Sequence, residues 1–374
     1  MCIISSKAIE IISLFKVELG TSLSEMNFLN FFGYNPSNHG ETQMKVFIVG
    51  GTGFLGYYTV KELLSRGHQV STMALPPLPK ENLLPPEVSV TLGNYAQMSD
   101  QDLQNLLAEC EGLIFAAGVD DRVVPKAPAL DFFRKGNVES TTRWIRLARQ
   151  AGVSKVVVFN SYFAAIDKKR PELKLVQKHP YVRSRREQIE AAKLEAGENM
   201  RVSFLMLPYI FGSMPGRVPL WKPLIKYLTS WLPIVFYPAG GSAMVSVEEV
   251  AQAAIGALEH GEAGAEYEVA SANLTWKQMI AKILAVVGKR KPVVTVPAFL
   301  VRFGAWLVKQ YHYSKGLEGG LDLTQFVELQ TSNAFLDLET SRNKLGYPGG
   351  DLDAAFRDTV LASTSQTLPV SERR

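Results

Sequence analysis

The sequence predicts an α/β chain built on a doubly wound parallel sheet, with a smaller C-terminal lobe. Three observations carry this. Short apolar strands alternate with helical stretches from residue 44 to about residue 207. A glycine-rich turn joins the first strand to the first helix. No internal repeat period is present, and with 374 residues, 47% of them hydrophobic, the chain can bury a large core.

Taken in order, Val46–Val49 is a buried strand, and Phe54 to Ser65 is the helix that follows its glycine turn, closed by Arg66-Gly67 in the manner of a helix C-cap. Gln69–Leu75 is a second strand and runs into the proline-rich loop Pro76–Pro86. Val88–Leu92 reads as a third strand, Asp102–Ala108 as a helix and Gly112–Ala117 as a fourth strand. Phe132–Gln150 is a long helix, Lys155–Phe159 a fifth strand, Pro180–Ala196 a helix and Val202–Leu207 a sixth strand. Strands separated by helices form parallel βαβ units. Beyond residue 208 prolines, tryptophans and short helices weaken the alternation. That part reads as a mainly substrate-binding lobe over 208–374, with Glu266–Ala270 returning to the sheet as a late strand.

Residues 1–43 differ in texture. They carry Asn, Ser and Phe without periodicity and end in Asn35-Pro36-Ser37-Asn38-His39-Gly40, before an abrupt change at Met44. We expect a weakly structured segment there, an upstream extension, a tag-like leader or a misplaced start codon, ahead of a dinucleotide-binding domain over 44–207.

Charge excludes several classes. Forty Lys and Arg face 36 Asp and Glu, a net charge of +4, too mild to argue for nucleic acid. The clusters Lys168-Lys169-Arg170 and Arg183, Arg185, Arg186 are short, and for the first a solvated surface is the leading reading against an anionic substrate group. Two cysteines, Cys2 and Cys110, and five scattered histidines supply neither a disulfide framework nor a metal-ligand pattern. No secretory signal is legible: Ile11 to Phe15 is flanked by Glu10, Lys16 and Glu18. A reducing, cytoplasmic setting is expected. The uncharged run Tyr227 to Val247 contains Pro233, Pro238, Gly240 and Gly241, so it reads as a buried or loop segment, with a membrane-surface contact as the alternative. No integral membrane span is expected.

Gly50-Gly51-Thr52-Gly53-Phe54-Leu55-Gly56 is the most informative segment. It satisfies G-x-G-x-x-G from Gly51, follows a strand and opens a helix. The first glycines permit a tight turn and close backbone approach to a pyrophosphate. Gly56 lets helix and strand pack closely, and free N–H groups at the helix start attract phosphate. NAD(P) is therefore the expected cofactor. An acid at the end of the second strand ordinarily holds the ribose hydroxyls of NAD. Met73-Ala74-Leu75 stands there, without a carboxylate, and Lys80 follows nearby, which leans toward NADP.

With these residues in hand, the stretch from about 44 to 360 resembles the extended short-chain dehydrogenase/reductase family, the NAD-dependent epimerase/dehydratase group, a Rossmann fold. Gly50–Gly56 is similar to its GGTGFLG loop. Gly93-Asn94 resembles the Gly-Asp that meets adenine, with Asn for Asp. Phe115-Ala116-Ala117-Gly118 resembles the motif after strand four. Asn137-Val138-Glu139-Ser140-Thr141 resembles N-V-x-G-T, whose Asn steadies the active-site helix. Leu207-Pro208-Tyr209-Ile210-Phe211-Gly212 is similar to R-P-x-x-V-Y-G beside the nicotinamide, without the Arg. Val245–Ala251 resembles a segment of the second lobe.

The resemblance implies a Ser/Thr, a Tyr and a Lys in YxxxK. Tyr181-Val182-Arg183-Ser184-Arg185 keeps the tyrosine and has Arg185 in the lysine's place, on the same helix face. The hydroxyl position falls on Tyr162, or on Ser161 with a one-residue slip. Arg185 can favour a Tyr181 phenolate electrostatically but cannot relay a proton. Two functions follow. The first is an oxidoreductase, epimerase or dehydratase acting on a small-molecule substrate, with Tyr181 as acid/base. The second is a non-catalytic NAD(P)-binding protein, structural or redox-sensing, as in family members that lose the triad. Trp221, Tyr227, Trp231, Phe236 and Tyr237 either line an apolar pocket or form the core of the second lobe. Whether the chain pairs as a homodimer is left open.

Overall fold

The computed structural model describes residues 43–364 except Pro79. The expectation for the N-terminal leader, Gln43 apart, lies outside the described residues. β1 (Lys45–Val49), α1 (Phe54–Ser65), β2 (Gln69–Ala74), β3 (Ser89–Leu92), α2 (Asp100–Leu106) and β4 (Gly112–Phe115) follow one another. A continuous helical stretch comes next: α3 (Ala129–Phe133), a wider π-helical segment (Arg134–Glu139) and α4 (Ser140–Gln150). β5 (Lys155–Ser161), α5 (Tyr162–Lys169), α6 (Leu175–Lys178), α7 (Pro180–Ala196) and β6 (Arg201–Leu207) complete the first half.

The second half comprises β7 (Tyr209–Phe211), α8 (Lys222–Thr229), β8 (Val235–Pro238), β9 (Gly241–Ser246), α9 (Val247–His260), β10 (Glu266–Glu268), β11 (Ala272–Thr275) and α10 (Trp276–Val286). It ends with β12 (Val293–Val296), α11 (Ala298–Ser314), α12 (Leu323–Gln330), β13 (Asn333–Ala334), α13 (Thr340–Leu345) and α14 (Leu352–Thr364).

The main sheet has the order β10-β6-β5-β4-β1-β2-β3, all parallel. Its central strands β1, β4, β5 and β6 are buried on both faces, which is why they read as near-continuous apolar runs. Alternate residues of β1 divide between two cores. Phe47 and Val49 pack with Trp144, Ile145 and Ile189 of α4 and α7, while Val46 and Ile48 pack with Val60 and Leu63 of α1 and Val250 and Leu258 of α9. Each such side chain, fully buried, contributes on the order of 1.5–3 kcal/mol. Residues beyond 207 thus serve two places. α9 covers a face of the main sheet and β10 extends it beside β6. A second sheet, β11-β9-β13 with β7 beside β9, and the parallel pair β12-β8 stand apart from it.

Local chemistry accounts for where the elements depart from expectation. The second helix starts at Asp100, ahead of the expected Asp102, because Ser99 caps it by accepting the Asp102 N–H. β4 stops at Phe115, short of the expected Ala117, and β5 runs on to Ser161, where the Ser161 hydroxyl caps an additional helix, α5, by accepting the Phe163 N–H. The long helix begins at Ala129 and carries the π-helical segment, a feature that concentrates near functional sites.

Candidate active site

β1 and β4 are neighbours where the strand order reverses, and the carboxyl ends of strands at such a switch point form a crevice. The chain leaves β1 at Gly50 with φ +93°, and the Gly53 N–H donates to the Gly50 carbonyl at 2.9 Å, closing the turn. A Cβ on Gly56 would lie 2.2 Å from the Gly50 oxygen, so α1 can approach β1 only with glycine there. The Gly51 N–H is held by Thr72 Oγ1 on β2 at 3.0 Å, and Thr52 is buried. No side chain caps α1 and no acid stands in its first turn. Its first N–H groups are free for an anion.

Gly53, Phe54 and Leu55 border a cavity of about 760 Å³, and Ala116, Ala117 and Gly118 border it from β4. A bare helix start, a glycine turn and a cavity at the switch point fit a dinucleotide. Pro208 and Ile210 lie on the same wall. Asn94 lies outside it and caps the turn Tyr95–Gln97 by accepting the Ala96 N–H at 3.0 Å. Asn137, fully buried in the π-helical segment, accepts the Val119 N–H at 2.7 Å and donates to Ser184 on α7 at 3.3 Å. The wider turn thus carries a side chain that ties the loop after β4 to the helix bearing Tyr181.

Tyr181 and Arg185 are buried, and the Arg185 Nε donates to the Tyr181 phenol oxygen at 3.2 Å. The guanidinium also donates to Gln188 Oε1 at 2.9 Å and, more weakly, to the Phe159 and Val119 carbonyls, both at 3.4 Å. Asn160 Nδ2 donates to Gln188 Oε1 at 3.0 Å and to the Arg185 carbonyl at 3.1 Å, so the base of the site is one hydrogen-bonded cluster. Burial raises the Tyr181 pKa above the ordinary tyrosine value. The Arg185 charge and hydrogen bonds from Ser161 and Arg185 oppose that rise, while Asp121 adds to it. Both hydroxyl candidates border the cavity, and the Ser161 hydroxyl lies near enough to Tyr181 to favour its phenolate. The buried Tyr162 phenol turns toward the second sheet and accepts from Ser242 at 3.0 Å. Burial raises the Tyr162 pKa as well.

Two acids that the sequence reading did not single out, Asp120 and Asp121, border the cavity just after β4. Burial, and then the Asp120 charge, push the Asp121 carboxyl up to about 6. Asp120, also desolvated, is held below its ordinary value by Arg122. Gln188 was missed too. It lies one residue short of a helical turn beyond Arg185, with nothing in its local sequence to mark it. The only prior signal for the acids was their place, two and three residues past Gly118.

The aromatic set of the second half divides. Trp221 and Tyr237 border the cavity, and Trp221 stacks on Phe211 at 4.4 Å. Tyr227 exchanges hydrogen bonds with the backbone of Phe236, and Trp231 and Phe236 are exposed. The basic cluster 168–170 pairs with Glu266, Glu268 and Glu172 on the surface. Among the described residues, no group of three or more His, Cys, Asp or Glu could hold a metal, and no helix is long and apolar enough to cross a membrane.

Comparison with known proteins places the chain. A putative dihydroflavonol 4-reductase of Synechocystis is 23% identical over 330 residues, covering 84% of this chain and 93% of that protein. The crystal structure of gox2253 superposes with a TM-score of 0.70 at 19% identity, covering 87% of this chain and 99% of that one. UDP-glucuronic acid 4-epimerase from Bacillus cereus, solved in complex with NAD, superposes with a TM-score of 0.61 at 11% identity, covering 86% and 99%. These structural likenesses concern the fold. The profile of the NAD dependent epimerase/dehydratase family matches residues 46–271, more than half of the chain. The chain therefore belongs to the NAD-dependent epimerase/dehydratase family.

Proposed function

We propose that this protein is an NAD(P)-dependent oxidoreductase, or an epimerase or dehydratase working through transient oxidation, acting at a hydroxyl or carbonyl carbon of a small molecule. The observation that carries the reading is the buried Tyr181 phenol, 3.2 Å from the Arg185 Nε, on the wall of the cavity that the glycine loop borders. The bound nicotinamide would supply or accept the hydride. Tyr181 gives or takes the proton at its phenol oxygen. Ser161 orients the substrate oxygen beside it. Arg185 is a fixed positive charge that favours the phenolate and does not itself exchange a proton.

Two finer points extend this. The absence of a carboxylate at Met73-Ala74-Leu75 favours NADP over NAD. Trp221, Tyr237, Tyr209, Leu224 and Met214 on the cavity wall favour an apolar, flavonol- or steroid-like substrate over a nucleotide sugar. One observation favours a second reading, in which the chain binds NAD(P) without turning it over: the Arg185 guanidinium is already held by Tyr181, Gln188 and two carbonyls.

Turnover of a panel of hydroxysteroids, flavonols, aldehydes and nucleotide sugars, followed at the reduced-nicotinamide absorbance with both cofactors, separates the two. With a substrate found, Tyr181→Phe is expected to lower the rate about 100- to 10,000-fold and to leave cofactor affinity nearly intact. A fully active Tyr181→Phe enzyme would remove Tyr181 from the reading. Tight cofactor binding without turnover of any panel member would favour the binder.

A further inference from the structure

Helix α11 buries none of its residues, whereas α7 and α9, the other long helices, each bury a face. It packs against α12 along a partly covered stripe, Val301, Ala305 and His312, and Lys309 beside that stripe pairs with Asp322 at the head of α12 at 2.6 Å. The rest faces outward. Phe299, Leu300, Phe303, Trp306, Leu307 and Tyr311 are 46–69% exposed. At about 3.6 residues per turn they form one arc, interrupted only by Gln310 and Ser314. The strand before α11 continues the theme: Val294 of β12 pairs with Phe236 of β8, both exposed, and Trp231 just ahead of β8 is 89% exposed. A monomer that meets only water rarely carries so much contiguous apolar surface.

Charge decides what covers this face. Residues 269–317 contain no Asp or Glu and eight Lys or Arg, and residues 199–247, which supply β8, contain no acid either. Arg290 and Arg302 are exposed and have no carboxylate partner among the described residues. A second copy of the chain would bring these basic segments, which carry no acid of their own, against their own image, repelling as they packed. A lipid surface with anionic headgroups satisfies both properties. Phe, Trp and Leu enter the headgroup boundary, Tyr sits at its level, and the basic side chains meet the headgroups. The helix lies in the plane, since it does not qualify as a span.

We propose that α11, with the β8–β12 pair, seats this protein on an anionic lipid surface. The docked helix is joined directly to the candidate active site. Leu317, just past its end, pairs with Lys126, and the Gly320 carbonyl accepts the Tyr181 N–H at 2.8 Å. This inference does not depend on whether Tyr181 is catalytic, and its test reads no turnover.

The test is cosedimentation of the full-length protein with vesicles, either of phosphatidylcholine alone or with phosphatidylserine at about a three-to-one ratio. The protein is expected to pellet with the mixed vesicles, less so as salt rises, and to stay in solution with phosphatidylcholine alone. Phe303→Asp combined with Trp306→Asp should weaken binding by on the order of tenfold or more, with unchanged melting temperature and NAD(P) affinity, since both side chains are exposed. Should that pair fail to fold, Arg290→Glu with Arg302→Glu is read instead and is expected to abolish the phosphatidylserine preference. Equal pelleting of wild type and folded variants overturns the proposal. So does a dimer in vesicle-free solution that Phe303→Asp with Trp306→Asp turns into monomer, which would make the face a self-interface. Vesicle binding by a chain starting at Met44, but not by the full chain, also overturns it, because the leader would then be what covers α11.

Discussion

At the scale of residues, the candidate site sets a phenol and a fixed cation in one buried, hydrogen-bonded cluster, with the Asp121 carboxyl bordering the same cavity. Arg185 in the lysine position keeps the charge and gives up the proton relay. Arg185→Lys is therefore expected to keep or raise turnover, and Arg185→Met to lose turnover and some cofactor affinity together, measured by steady-state rates and calorimetry. Asp121 makes a separate prediction. Its carboxyl, at about 6, binds its proton more tightly in the folded chain than in the unfolded one. The stability this supplies is present below the unfolded value, near 4, and is lost as pH rises through about 6. The melting temperature of the wild type relative to Asp121→Asn should fall over that window, and a constant difference would show that Asp121 titrates normally. Tyr181 and Arg185 were legible because helical spacing puts them on one face. The placement of the Ser161 and Tyr162 hydroxyls was not, because it depends on where β5 ends, and a cap hydrogen bond from Phe163 sets that end. Asp121 was not legible because what lifts its carboxyl is burial contributed by distant parts of the chain.

At the scale of elements, the strand–turn–helix at Gly50–Gly56 was readable because Gly50, Gly51 and Gly56 stand where a side chain would strain the backbone or clash. A Cβ on Gly53 would lie 3.1 Å from the Gly50 oxygen, a contact relieved by a small shift, whereas one on Gly56 would lie 2.2 Å away. Gly53→Val should thus keep the fold and weaken NAD(P) binding tenfold or more, about 1.4 kcal/mol, by calorimetry. Gly56→Ala should lower the melting temperature itself, because α1 must move off β1. Unchanged affinity in Gly53→Val would put the cofactor elsewhere. The six strands before residue 208 were legible from their apolar runs, and the helix over 180–196 from its Pro180 start, whereas the strands of the second sheet and of the β12-β8 pair were not. The π-helical segment over 134–139 was not, since no residue type marks one extra residue per turn. What fixes it is the pairing of Asn137 with Val119 and Ser184.

At the scale of the whole molecule, the two halves of the sequence share the core on one face of the main sheet. α9 lies on the main sheet beside α1, and β10 closes its edge. The weakening of the alternation after residue 208 was visible, but which later elements rejoin the sheet is fixed by long-range packing, and a single sequence carries little record of that. The sheet begins at Lys45, so a chain starting at Met44 is expected to keep its melting temperature and NAD(P) affinity, and a loss of several degrees would make the leader part of the fold. The central claim is that this cavity passes hydride between a nicotinamide and a substrate carbon, with Tyr181 handling the proton. The measurement that tests it most directly follows deuterium from C4-labelled NADPH or NADH into the panel's carbonyl members by mass spectrometry, in wild type and Tyr181→Phe. Label on the carbonyl carbon of the wild-type product, and little or none with Tyr181→Phe, is the predicted result. Cofactor that binds the wild type and releases no label to any substrate, or equal transfer by both proteins, would contradict it.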